Sequence, residues 1–222
     1  MSERHSVHWL GARRLLAAWW GLSVASSSFA QALCQSDHRL QLTTLHERFI
    51  SADCAACWQA EGSAIDDTST LSIDWIAPGQ KGDEAPLSAA ELIDAEDRLQ
   101  QLGQGPVQDQ LETRTRLGKP LGADLDLSFG VAIGGYRGLS VELKLEPGVS
   151  PPEQLMLWVL MLERLPAGTE GSKQVRQLVR NALQQTWRAQ DFAVRDSRSV
   201  VTELRPMRMP DGMQAEAMMA LA

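Results

Sequence analysis

The sequence predicts an α/β half followed by a β-rich half. Three observations carry that expectation. Around residues 41–61 a strand pattern turns straight into a helix pattern, and a second strand pattern follows. Residues 88–102 hold the clearest amphipathic helix of the chain. From Leu125 onward the apolar period becomes two, the signature of half-buried strands.

The chain opens on a segment that reads as an export signal rather than as part of the fold. Arg4, Arg13 and Arg14 precede an apolar run from Leu15 to Ala25, and small residues from Ser26 to Ala32 follow. Basic region, apolar core and small-residue cleavage site occur in the order of a signal peptide, with cleavage expected after Ala30 or Ala32. The apolar core is shorter than the roughly 20 residues needed to span a bilayer. Residues 1–32 are therefore assigned to the signal, the protein is expected to be periplasmic or secreted, and no membrane association is expected after cleavage. The first thirty residues carry three arginines against Glu3, so their removal takes the net charge from −7 to −9. An acidic surface repels nucleic acid and anionic lipid, and neither is an expected partner.

Residues 41–50 favour extended structure through Thr43, Thr44, Phe49 and Ile50. Their centre is unusually polar for a strand inside a parallel sheet. Ser51-Ala52-Asp53 turns the chain into Cys54-Ala55-Ala56-Cys57, with Asp53 as a candidate N-cap, and Gly62 is expected to end the short helix. Residues 70–76 read as a second strand, closed by Pro78-Gly79. Ser88 and Glu91 have capping-box spacing, and Leu92, Ala95, Leu99 and Leu102 form one stripe up to a stop at Gly103. Residues 106–123, with their Gly, Pro, Gln and mixed charges, read as a linker. Beyond it, alternating runs at 125–131 and 139–145 flank a glycine turn at 134–138, as a hairpin requires. The apolar block 155–162 suits either a buried strand or a short helix, residues 173–187 are ambiguous in the same way, with Val175, Leu178, Val179 and Leu183 fitting a helix, and residues 200–204 fit a strand. The organisation expected is a signal at 1–32, one domain over 38–105, a linker over 106–123 and a β-rich, sandwich-like domain over 124–222.

Strand, turn, Cys-x-x-Cys and helix in this order resemble the thioredoxin-like superfamily. The closer likeness is to a family of secreted bacterial proteins of unknown function with a thioredoxin-like half before a β-rich half. The residues that carry it are Glu47, Phe49, Ser51, Cys54 and Cys57, then Asp74 and Trp75 with the loop residues Gly82, Asp83 and Pro86, and later Gly135, Tyr136 and Gly138. Trp58 stands where a proline is usual. The resemblance implies thiol–disulfide exchange on protein thiols or disulfides, with Cys54 as the exposed nucleophile and Cys57 resolving the mixed disulfide. It also implies that Glu47, on the incoming strand, takes the proton of the resolving cysteine. A thiol in the first turn of a helix is activated by unpaired backbone donors, whereas the neighbouring Asp53 carboxylate works against its ionisation.

Two other classes of function stay open on the residues alone. The cysteines could form a fixed disulfide in a non-catalytic structural or binding module, with Cys34 able to close a longer loop to Cys54 or Cys57. Alternatively the chain could bind metal, through the Cys-x-x-Cys pair with His46, which Cys34 with His38 would complete towards the four ligands of a closed zinc site if the fold brings them close, or through Met207, Met209, Met213, Met218 and Met219, whose thioethers suit Cu(I). No organic cofactor is expected, since no phosphate-binding glycine loop is present.

Overall fold

The computed structural model describes residues 42–61, 69–118 and 122–213 in full, together with the backbone of Cys34–Gln35 and Met218–Leu221. The expected signal peptide, His38 and Gly62 lie outside the described residues. In chain order the elements are β1 (Cys34–Gln35), β2 (Thr44–Ser51), α1 (Ala55–Gln59), β3 (Thr70–Ala77), α2 (Asp94–Gln101), β4 (Gln110–Arg116) and β5 (Ala123–Ile133). They continue with β6 (Tyr136–Leu145), β7 (Gln154–Leu165), β8 (Arg176–Arg188), β9 (Ala193–Arg195), β10 (Arg198–Arg208) and β11 (Met218–Leu221).

Two sheets result. A five-stranded antiparallel sheet has the order β1-β5-β6-β10-β9, and a six-stranded mixed sheet has the order β11-β7-β8-β3-β2-β4. In the second, β2 pairs parallel with β3 in register from Thr44↔Thr70 to Ser51↔Ala77. An inter-sheet core joins Leu139, Val141 and Leu145 of β6 to Val159 and Met161 of β7 and Trp187 of β8. A second core packs Phe49, Ile73 and Trp75 against Ala95 and Leu99 of α2. A third gathers Ile50, Ile76 and Leu178 around Trp58 of α1.

This arrangement overturns the expected thioredoxin-like α/β domain. The parallel pair β2–β3 is completed on one side by β8 and on the other by β4. β8 comes from the half assigned to a separate β-rich domain, and β4 lies inside the stretch read as a linker. The described residues all belong to one compact unit, Gln31–Ala222, and their only two α-helices have five and eight residues. The physical reason is that strand–turn–helix–strand patterning specifies one local unit and is silent on which distant strands extend its sheet. β4 escaped notice because it is an edge strand, Gln-Leu-Glu-Thr-Arg-Thr-Arg, and charged side chains are what edges carry.

The hairpin of β5 and β6 turns at Gly134 and Gly135, both at positive φ (57° and 79°). Two consecutive residues at positive φ are what a tight hairpin turn needs, and glycine alone meets that without strain. The apolar block is a strand, β7, and the helix-like residues 173–187 are also mostly strand, β8, because both faces of that strand are covered and its apolar residues therefore lose the period of two. The amphipathic helix starts later than its sequence suggests. Ser88 donates its hydroxyl to the carbonyl of Asp83 rather than capping with Glu91, and α2 begins only at Asp94. Its stop at Gly103 holds, with φ of 70°.

The polar centre of β2 is explained by pairing. His46, Glu47 and Arg48 are all buried. Arg48 donates to Asp74 on the adjacent strand, Glu47 accepts from Arg98 and Trp75, and His46 contacts Ser72 and Glu112. Buried charges are tolerated where each has a hydrogen-bonded partner.

Candidate functional site

The two cysteines sit where β2 leaves the sheet. Ser51 ends the strand, Ala52 and Asp53 turn the chain, and α1 begins at Ala55. Cys54 and Cys57 form a disulfide with Cα atoms 5.3 Å apart, and both are half-buried. The longer staples from Cys34 are therefore not made; Cys34 lies in β1, opposite Phe129 of β5.

The N-cap of α1 is Cys54 itself, not Asp53. Cys54 Sγ accepts the backbone N–H of Cys57 at 3.2 Å. Asp53 instead turns its carboxylate to the loop after β3, accepting from the N–H groups of Gln80 at 2.7 Å and Lys81 at 3.2 Å. Gly79 makes this contact possible, since a Cβ there would stand 2.6 Å from the Asp53 carboxylate.

α1 is short, and its position is set from outside. The Trp58 side chain is buried, donates its indole N–H to the carbonyl of Thr169 at 3.2 Å, and lies 4.7 Å under the guanidinium of Arg176. The same guanidinium donates to the carbonyls of Trp58 and Ala60 at the end of α1, to Ser172 Oγ at 2.7 Å and to Asp74 at 3.4 Å. Arg176 thus closes the C-terminus of the helix, where a cation complements the exposed carbonyls. Trp58 acts as a packing anchor.

A third chemical group joins the cysteines, and it is not Glu47. One carboxylate oxygen of the exposed Asp109 and both sulfurs all lie within 4.8 Å of one another. Asp109 is held in place through its carbonyl, which accepts the N–H of Ser51 at 2.9 Å. Glu47 shares the face of β2 with Phe49 in the α2-side core, whereas Cys57 packs with Ile50 on the opposite face. Strand alternation places them on opposite faces, and Glu47 is bound to Arg98 and Trp75. Asp109 was missed because it lies in a stretch without periodicity, and nothing in the sequence near it marks it as adjacent to residues 54–57.

The metal-ligand sets are revised by the same geometry. His46 stands on β2 five residues before the strand's end, about 17 Å along the chain from Ser51, and is engaged by Ser72 and Glu112. Met207 is buried in the inter-sheet core, with Met209 and Met213 packed against it. These three methionines fill space between sheets, as methionine commonly does. Among the described residues, the cluster with ligand-like spacing is Cys54, Cys57 and Asp109, and no helix is long and apolar enough to cross a membrane.

No protein-family model, no curated protein and no solved structure matches this chain.

Proposed function

We propose that this is an exported protein whose Cys54–Cys57 disulfide exchanges with thiols of protein partners. The observation that carries the reading is the half-buried disulfide with a carboxylate beside it. A bridge across three residues closes so small a loop that it adds little stability, and α1 is already tethered by Arg176 and Trp58. Reactivity therefore explains the pair better than stapling does.

The exchange runs in two steps. A partner thiolate attacks Cys54 Sγ, forming a mixed disulfide and breaking the Cys54–Cys57 bond, and the electron pair leaves on Cys57. The second thiolate of the partner then attacks its own sulfur in the mixed disulfide and releases Cys54. The partner dithiol is oxidised by two electrons, the Cys54–Cys57 pair is reduced by two, and the two protons of the partner thiols end on the two cysteines. The backbone N–H of Cys57 stabilises charge on Cys54 Sγ. Asp109 offers the nearby site through which Cys57 gains its proton, or loses it in the reverse direction.

The test is the midpoint potential of the pair, by thiol trapping of the purified protein across glutathione buffers. A midpoint between about −120 and −270 mV supports exchange, and one below about −300 mV assigns the bond to a fixed structural role. A second reading rests on the same cluster: reduced Cys54 and Cys57 with Asp109 supply three donors for a zinc ion, one fewer than a closed structural site. Native mass spectrometry of the reduced protein with zinc distinguishes it, since only this reading expects one bound ion that Asp109→Asn weakens.

A further inference from the structure

β4 forms one edge of the six-stranded sheet, and among the described residues no strand pairs with its outer side. Its register with β2 is unbroken over seven pairs, from Thr44↔Arg116 to Ile50↔Gln110. The bonds just beyond the two ends of that ladder show which residues look inward. Ser51 donates to the carbonyl of Asp109 at 2.9 Å, and Leu117 donates to the carbonyl of Thr43 at 2.8 Å. In an antiparallel ladder, residues that bond to the partner strand alternate with residues that do not. The odd-numbered residues of β4 therefore bond to β2. The even-numbered ones, Gln110, Glu112, Arg114 and Arg116, direct their N–H and C=O groups away from it. A row of such groups is a template for an added strand.

The side chains of these four residues share one face. Gln110, Arg114 and Arg116 are exposed, and neither arginine has an ion-pair partner among the described residues. Glu112, between them, is engaged by His46 at 3.3 Å. The row ends beside the disulfide. Asp109 directly precedes Gln110, and its carboxylate lies within 4.8 Å of both sulfurs. Gln110 pairs with Ile50, whose core Cys57 joins. The exposed arginines and the cysteines thus belong to the same side of the sheet.

We propose that the protein partner of the Cys54–Cys57 pair docks as an extended segment added antiparallel to β4, with its cysteine opposite Gln110 and acidic residues opposite Arg114 and Arg116. Those acidic residues stand four and six positions before the cysteine, because the added strand runs from Arg116 towards Gln110. The chemistry rests on the exchange reading above, and the location rests on the edge of β4. A second copy of β4 is a poorer occupant, since it would set its Arg114 against a Glu112 that His46 already holds.

The experiment uses the oxidised protein and the fluorescein-labelled peptide Glu-Val-Glu-Val-Thr-Val-Ser-Gly, in which serine replaces the cysteine so that docking is read apart from exchange. Fluorescence anisotropy is expected to show saturable binding, about tenfold tighter than for the peptide with both glutamates changed to lysine, the worth of two exposed ion pairs. The double variant Arg114→Glu, Arg116→Glu is expected to reverse that preference. Methylating the backbone nitrogen of the peptide's threonine, which faces β4, is expected to abolish binding. Methylating that of the valine before it, which faces away, is expected to change binding by less than about threefold. The cysteine form of the peptide is expected to give mixed disulfide, seen by acid quench and mass spectrometry, about tenfold faster than its lysine counterpart. No saturable binding, equal effects of the two methyl groups, or a charge preference unchanged in the double variant each overturns the docking edge. So does a dimer paired through β4 that the peptide does not displace. Binding without mixed disulfide from the cysteine form supports the docking edge and overturns the exchange. Mixed disulfide formed at one rate by the acidic and lysine peptides overturns the docking edge and leaves the exchange standing.

Discussion

Arg98 on α2 grips Glu47 on β2 with two hydrogen bonds, Nε to Oε1 at 3.0 Å and a terminal nitrogen to Oε2 at 2.7 Å. Glu47 is 1% exposed and therefore has no water to fall back on. The pair fastens the helix to the sheet and orients the Trp75 indole, which shares Oε1. Arg98→Met is expected to destabilise the protein by about 3 kcal/mol, because an unpaired buried carboxylate remains. Replacing both partners, Glu47→Leu with Arg98→Met, is expected to recover most of that loss. Urea unfolding of the two singles and the double closes the cycle. Additive losses would show that the two residues do not act as a pair.

Asp74 gives folding a pH dependence of unusual sign for a carboxylate. Burial pushes its carboxyl up to about 6 from 3.8, against the pull of Arg48. Between those values the folded state holds its proton while the unfolded state has lost it, so the folded state binds more protons there. Stability from this group is full below pH 3.8 and is lost as the pH rises through about 6. Two units correspond to about 3 kcal/mol as an upper scale. Unfolding free energy measured from pH 4 to pH 7 is expected to carry this falling contribution, and Asp74→Asn is expected to remove it. An identical pH profile in the variant would refute the assignment.

Arg176 is 1% exposed and joins four groups: the Trp58 ring, the end of α1, Ser172 and Asp74. Arg176→Lys keeps the charge and loses the planar fork, so it is not a conservative change here. It is expected to lower stability by about 2–3 kcal/mol and to speed reduction of Cys54–Cys57 by dithiothreitol, as α1 loses its anchor. A drop in stability with no change in reduction rate would show that Arg176 does not position the cysteines.

Gly79 and Asp53 hold the turn under the cysteines to the loop after β3. Gly79→Ala would place a methyl group 2.6 Å from the Asp53 carboxylate and displace it from the N–H groups of Gln80 and Lys81. Asp53→Ala removes the same two bonds without the clash. Both are expected to cost about 1–3 kcal/mol, read as a fall in melting temperature of several degrees. If Gly79→Ala is neutral while Asp53→Ala is not, the carboxylate has room that the backbone geometry denies.

Asp109 offers the most direct check on the exchange chemistry. Asp109→Asn removes an anion beside the reduced thiols, and a nearby anion raises a thiol pKa. The thiolate of the reduced pair is therefore expected to form at lower pH in the variant, read by absorbance at 240 nm across a titration. A titration curve identical to that of the parent would remove Asp109 from the mechanism.

What the sequence determined by itself was local. The strand before the cysteines, the turn into a helix at Cys54, the stop at Gly103 and the glycine hairpin at Gly134-Gly135 follow from residue types a few positions apart, and short-range sterics and hydrogen bonding enforce them. What the tertiary structure decided was everything set by pairing between distant segments. β8 and β4 joined β2 and β3 in one sheet, so the expected two domains became one layered unit. Alternation along β2 sent Glu47 to the face away from Cys57, and the approach of the loop before β4 brought Asp109 beside the sulfurs instead. The polar centre of β2 could be read in advance as an oddity, but its meaning depended on Asp74, Arg98 and Glu112, which lie 26, 51 and 66 residues from their partners. A buried charge is stable only beside its counter-charge, and sequence distance does not reveal which one the fold will supply.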